Sequence, residues 1–174
     1  MKSNIITIQE AKQRASRLKL VLTDNDGVLT DTGVYYSERG EELKRFSIRD
    51  GMGVERLRNI GVETAIITGE LSGSVKMRAE KLKMPFLYLG VKDKYKMLLD
   101  TVLHETGYKT DEIAYIGDDI NDVDIMNELG KHSITACPLD AMEVVKRIAL
   151  YVCKAPGGNG AFRDFAEYII KLRS

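Results

Sequence analysis

Two aspartate pairs terminate apolar runs in this chain: Asp24 and Asp26 in "LVLTDNDGVLTD", and Asp118 and Asp119 in "EIAYIGDD". A single pair after such a run is ordinarily a turn or a helix cap. Two pairs closing two separate runs imply a shared cation, because clustered carboxylates repel one another. No histidine stands at ligand spacing, and hard oxygen donors of this kind suit Mg²⁺ rather than Zn²⁺. Thr68 and Gly69 follow a third apolar run, and Lys94 comes shortly after a fourth. They add a hydroxyl and an ammonium that can bind phosphate oxygens. A carboxylate beside a metal can itself attack phosphorus and form an aspartyl-phosphate. These residue types point to phosphoryl chemistry.

The elements that must position them follow from the pattern of the chain. Thr7 and Glu10 have capping-box spacing, so residues 8–17 read as a short basic helix. "KLVLTD", "VETAIITG", "FLYLG" and "EIAYIGDD" are apolar runs of strand length, the pattern of strands covered on both faces. In "VYYSERGEELKRF", β-prone pieces Val34 to Ser37 and Glu42 to Phe46 flank a polar turn at Gly40, which predicts a hairpin. Asp50 is expected to cap a helix that runs to Asn59 and stops at Gly61, and Ser72 to start another through Leu82. Lys92 to Thr106 reads as a helix with Leu98, Leu99, Val102 and Leu103 on its inner face, and Asn121 to Leu129 as a further helix. "SITACP" and "ALYVC" read as short strands around a helix capped by Asp140. The last helix begins near Gly160 with Phe162, Phe165, Ala166 and Ile169 on one stripe. Alternating strands and helices predict an α/β fold with a parallel sheet and a site at the carboxyl ends of its strands.

The length of 174 residues suits one domain with a sizeable core, and 26 basic against 26 acidic residues leave no excess charge for a nucleic-acid partner. Cys137 and Cys153 are too few for a disulfide scaffold. With no signal peptide they read as reduced core thiols of a cytoplasmic protein. No apolar run approaches the roughly 20 residues of a membrane span. His104 and His132 read as structural.

"DNDGVLTD", "TGE", Lys94 and "GDDINDVD" resemble, in order and spacing, the motifs of the haloacid dehalogenase superfamily of phosphatases, over nearly all of the chain after residue 17. The resemblance implies a Rossmann-like, doubly wound parallel sheet in a single domain over 18–174. It carries a small hairpin insert at about 34–46, an N-terminal helical extension over 1–17 and no cap domain. That is the capless branch, which includes 3-deoxy-D-manno-octulosonate 8-phosphate phosphatases of lipopolysaccharide synthesis. "RDG" at 49–51 and the "GGNGAFRDF" tail are similar to segments of that branch. By position, the resemblance makes Asp24 the nucleophile and a ligand of Mg²⁺. Asp26 becomes the general acid and then base, lending its backbone carbonyl to the metal. Thr68 and Gly69 would hold phosphate, Lys94 would pair with phosphate and nucleophile, and Asp118 would be the metal's carboxylate ligand. Asp119 and Asp122 would orient metal waters or Lys94. Asn25 departs from the apolar or aromatic residue common between the two aspartates.

In this branch tetramers form, and the hairpin of one subunit helps cover its neighbour's site. Ser47, Arg49, Asp50, Gly51, Arg78 and the tail from Gly157 to Arg163 would then surround a sugar acid, with Arg78 facing its carboxylate. Glu70 departs from the arginine usual in octulosonate phosphatases. With Arg78 and Lys81 it looks more like phosphatases of nine-carbon acids, 2-keto-3-deoxynononate 9-phosphate or N-acetylneuraminate 9-phosphate. The reading leans to the nine-carbon substrates, with the eight-carbon octulosonate as the alternative. Related domains fused to acylneuraminate cytidylyltransferases serve assembly, a second class of role, but Asp24, Asp26, Lys94 and Asp118 are all kept here. Phosphoryl transfer to another acceptor ranks last, because it needs a cap that excludes water.

Overall fold

The structure is a computed structural model, and it describes residues 6–174; the first five residues of the expected N-terminal extension lie outside them. Helix α1 (Ile8–Arg17) precedes the central strand β1 (Leu20–Thr23). A hairpin follows, β2 (Thr30–Ser37) and β3 (Gly40–Phe46), then α2 (Ile48–Arg58), β4 (Glu63–Ile67), α3 (Gly73–Lys81) and β5 (Phe86–Tyr88). The second half runs α4 (Lys94–Met97), a π turn (Leu98–Val102), α5 (Leu103–Thr106) and β6 (Ile113–Ile116). It ends with α6 (Val123–Leu129), β7 (Thr135–Cys137), α7 (Glu143–Lys146), β8 (Tyr151–Val152) and α8 (Ala161–Arg173).

Six strands form one parallel sheet in the order β5-β4-β1-β6-β7-β8. Both faces of the sheet are covered, and β1 and β6 are buried at every position and mostly apolar. Val21, Ile66, Ala114 and Ile116 point into a cluster with Phe162, Phe165, Ala166 and Ile169 of α8 and Ala11 and Ala15 of α1. Leu20, Leu22, Ile67 and Tyr115 point the other way, to Leu98, Val102, Ile125 and Met126. Helix α1 thus shares the main core. The chain winds outward from β1 through β4 to β5, then crosses over to β6 and winds the other way. This reversal opens a crevice between the carboxyl ends of β1 and β6. The amide of Asp24 donates to Ile116 O at 2.9 Å, so the ladder carries the first aspartate beside the end of β6.

Four local expectations change. The N-cap of α2 is Ser47, whose hydroxyl accepts from the amides of Arg49 (3.1 Å) and Asp50 (3.4 Å). Asp50 sits one turn inside, buried, with its carboxyl oxygens accepting from the amides of Gly160 (3.1 Å) and Arg163 (2.9 Å). It satisfies free donors at the start of α8, and burial raises its pKa above the usual range against the pull of those amides. Asp140 does not cap α7, which starts after Met142; its carboxylate holds the amide of Gly157 at 2.9 Å. The helix from Lys94 is interrupted by the π turn, which rotates Leu99 outward to 40% exposure while Leu98 and Val102 stay buried.

The fourth change is in the hairpin, whose strands are longer than expected. Register shifts separate its β2–β3 pairs, and Val34 faces Lys44 while Tyr35 faces Leu43. Tyr35 and Leu43 lie outward at 66% and 63% exposure, whereas Lys44 is buried.

Asp50→Ala leaves the amides of Gly160 and Arg163 unpaired. Urea unfolding is expected to show a loss of about 1–3 kcal/mol for each amide that finds no water.

Candidate active site

Asp24 is the first residue past β1 and is almost fully buried. One of its oxygens accepts from the amide of Asn25 at 2.7 Å and the other lies 2.8 Å from Lys94 Nζ. Lys94 begins α4, and its side chain is 1% exposed. Its Nζ also donates to Asp122 Oδ1 at 2.6 Å. Burial pulls the lysine pKa down, but Asp24 and Asp122 outweigh it and the ammonium is held above its usual value. Lys94 therefore stands behind Asp24, bridging it to Asp122.

Asp122 has no spare capacity. Its Oδ1 also accepts from the buried Tyr115 hydroxyl at 2.6 Å, and its Oδ2 from the amides of Asp118 (2.8 Å) and Asp119 (3.2 Å). It shapes the loop after β6 and orients Lys94. Asp118 is partly exposed to the crevice, and its Oδ1 is a buried oxygen without a hydrogen-bond partner. Asp119 caps the short turn at Ile120–Asp122 by accepting from the Ile120 amide. Gly27 makes room for Asp118: a Cβ there would lie 1.9 Å from Asp118 Oδ2, and its φ of +84° suits glycine. A Cβ on Gly157 would lie equally close to the carbonyl oxygen of Gly27, so the glycine-rich tail braces this turn.

Asp26 faces the same crevice. Its Oδ1 accepts from Asn25 Nδ2 (3.0 Å) and Thr30 Oγ1 (3.2 Å), and Lys44 Nζ lies 2.7 Å from both of its oxygens. Asn25 is buried, and its backbone carbonyl accepts from the amides of Val28, Leu29 and Thr30, closing the turn.

A cavity of about 280 Å³ gathers Asp24, Asp26, Thr68, Gly69, Glu70, Asp118 and Asp119, together with Thr32, Ile120 and Asn121. The other expected residues lie apart. Gly51 and Lys81 line a separate groove with Arg58 and Lys83. Arg78 donates to the carbonyl of Ser47 at 2.7 Å and stacks over Phe46 at 5.5 Å, and Arg49 is exposed on α2. Thr32, Tyr115 and Lys44 lie outside the motifs, and Ile120 and Asn121 lie inside "GDDINDVD" but have no role of their own in it. Tyr115 reads as one more strand residue, and Lys44 as one more residue of the hairpin.

No protein-family profile matches the chain. The curated 3-deoxy-D-manno-octulosonate 8-phosphate phosphatase of Yersinia pestis is 36% identical over 161 residues, 91% of this chain and 82% of that protein. The chain belongs to this phosphatase family of the haloacid dehalogenase superfamily. A solved octulosonate phosphatase from Moraxella catarrhalis, in complex with magnesium ion, phosphate ion and a KDO molecule, is 33% identical. It superposes with a TM-score of 0.88 over 96% of this chain and 94% of that one. The cobalt-bound Haemophilus influenzae enzyme is 32% identical, with a TM-score of 0.86 over 92% of each chain.

The family's metal site can be tested against the residues present. Carboxylate oxygens of Asp24, Asp118 and Asp122 lie within 4.8 Å of one another. Of these, Asp122 is saturated by donors, while Asp118 keeps a buried oxygen with no partner. Burial raises the pKa of Asp24 to about 7, with Asp122 adding and Lys94 opposing. Burial likewise raises Asp118 to about 8, helped by Asp24, Asp122 and Asp119. An all-oxygen pair that resists ionisation without a cation fits a hard divalent ion.

Both carboxyls hold protons in the fold well above the usual 3.8. Between that value and about 8 the folded chain therefore binds more protons than the unfolded chain, and metal-free stability falls as pH rises through this window. Thermal melts with and without Mg²⁺ should show a larger Tm gain near pH 8 than near pH 5.5, as binding removes the penalty. A gain independent of pH would contradict this electrostatic picture.

Proposed function

We propose that the chain hydrolyses the terminal phosphate of 3-deoxy-D-manno-octulosonate 8-phosphate through an aspartyl-phosphate on Asp24. Asp24 at the floor of the cavity, held by Lys94 behind it with Asp26 beside it, carries this reading. Similarity to octulosonate phosphatases over more than nine-tenths of this chain supports the eight-carbon substrate over the nine-carbon one. Asp24 attacks phosphorus, the bond to the sugar oxygen breaks, and that oxygen takes a proton from Asp26. Water then attacks the acyl phosphate, gives its proton to Asp26 and frees inorganic phosphate. Thr68 and the backbone of Gly69 hold the phosphate oxygens. Asp24, Asp118 and the Asp26 carbonyl would hold Mg²⁺, which when bound offsets the charge of phosphate and nucleophile.

The cavity of this chain reaches Glu70 but not Arg78, Lys81, Ser47, Arg49 or Gly51. Their roles toward a sugar acid require a neighbouring subunit. A homotetramer in which a neighbouring subunit brings its hairpin and these α2 and α3 residues to the cavity accommodates this. The exposed Tyr35, Tyr36 and Leu43 of the hairpin, Ile120 in the cavity wall and Leu71 next to Glu70 in the chain support it. The buried free thiols of Cys137 and Cys153 suit a cytoplasmic setting. No helix among the described residues is long and apolar enough to cross a membrane. The nine-carbon acids remain a second reading because Glu70, a carboxylate, lines the cavity.

Comparing kcat/KM for the eight-carbon and the two nine-carbon phosphates decides between these readings; release of phosphate from none of them would favour an assembly role. Asp24→Asn should lower turnover at least ~10³-fold with the melting profile retained, and retained activity would remove Asp24 as nucleophile. A chelator should stop the reaction, and Mg²⁺ should restore it. Glu70→Arg should raise the eight- to nine-carbon preference about 10-fold. An unchanged ratio would take Glu70 out of specificity.

A further inference from the structure

Lys44 occupies a position where a hairpin in isolation would send its side chain to water, yet that side chain is 1% exposed. Its Nζ lies 2.7 Å from each oxygen of Asp26 and 3.5 Å from Glu41 on the same strand. Glu41 in turn accepts from the hydroxyl of Ser72, the N-cap of α3. Strand β3 is thereby joined to the turn after β1 and to the loop after β4. A buried ammonium is tolerated only with such acceptors around it.

The two oxygens of Asp26 are not equivalent. Oδ1 accepts from Asn25, Thr30 and Lys44, whereas among the described residues Oδ2 is held by Lys44 alone. We infer that Lys44 is a positioning residue for the reaction: it fixes the Asp26 carboxyl so that Oδ2 is the oxygen that exchanges protons with substrate and water. This rests on the acid–base role proposed for Asp26. In the first half-reaction the bond between phosphorus and the sugar oxygen breaks, and its electron pair stays on that oxygen. The oxygen then takes the proton from Oδ2. In the second, water bonds phosphorus and returns a proton to Oδ2 as the Asp24–phosphorus bond breaks, so Asp26 ends as it began. The hairpin then serves its own subunit's chemistry through Lys44, whatever its outer face covers.

Lys44→Met keeps the buried stem and removes the ammonium. Its kinetics are measured on a sugar-acid phosphate, whose alkoxide leaving group needs a proton, and on p-nitrophenyl phosphate, whose leaving group does not. Because kcat/KM reports steps only up to loss of the leaving group, it isolates the acid role. The expected result on the sugar-acid phosphate is a loss of about 100-fold in kcat/KM, carried by kcat, with KM within ~3-fold. On p-nitrophenyl phosphate the loss in kcat/KM should stay below ~3-fold. Asp26→Asn should show the same selectivity, and the double variant should lose no more than Asp26→Asn alone, since both act through one carboxyl. Equal losses on the two esters, a loss carried by KM, or multiplied losses in the double variant would overturn the inference. If Lys44→Met fails to fold, Lys44→Gln carries the same comparison. A wild type inactive on all eight- and nine-carbon phosphates would defeat the substrate reading alone, and Lys44 would then be tested on a sugar phosphate that the enzyme does cleave.

Discussion

Carboxylates crowded at the ends of β1 and β6 are the constraint around which the rest of the molecule is arranged. Oxygens of Asp24, Asp118 and Asp122 lie within 4.8 Å of one another. At an effective dielectric near 20, two full charges at that distance repel by about 3–4 kcal/mol. The fold relieves this in three ways. Lys94 places an ammonium between Asp24 and Asp122. Tyr115 and the amides of Asp118 and Asp119 saturate Asp122. Asp24 and Asp118 stay partly protonated until a cation arrives. The same arrangement prepares an affinity for a metal cation, since the negative charge left uncompensated at Asp24 and Asp118 is one that a cation can satisfy.

A second layer of support comes from distant segments that close on the turn after β1. Gly157 and Gly158 pack against the backbone from Gly27 to Asp31, close enough that a Cβ on either would collide with it. The tail is held in turn by Asp140 at Gly157 and by Asp50 at Gly160 and Arg163. Asp50 and the "GGNGAFRDF" tail, which the resemblance grouped around the sugar, are thus joined first to each other and to the turn after β1. The hairpin contributes Lys44 from the other side. The turn that carries Asp24 and Asp26 is therefore fixed by residues more than a hundred positions away as well as by its own hydrogen bonds.

The sheet was legible because period and length suffice for buried parallel strands. Runs such as "LVL" and "IAYI" are short, apolar and buried on both faces, and strand ends collect the functional groups of an open α/β sheet. Asp24, Asp26, Thr68, Lys94, Asp118 and Asp122 were identifiable because each follows such a run at recognisable spacing. Helix starts were less legible. Ser47 and Asp50 are both good capping residues, and only the contact of Asp50 with α8 separates them. The π turn at Leu98–Val102 left no mark in the apolar spacing.

By itself the sequence determined the α/β class, the chemistry of oxygen ligands, hydroxyl and ammonium, and the order in which the strand ends present them. These depend on residue type and local period, which a chain carries wherever it folds. Tertiary structure alone decided which aspartate is saturated and which keeps a free oxygen, that Lys94 lies behind Asp24, and that Lys44 turns inward to Asp26 while Tyr35 and Leu43 turn out. It also separated Glu70, on the cavity, from Lys81 and Gly51, on another groove. Such distinctions depend on distances between groups far apart in the chain, and packing sets those distances where local pattern does not.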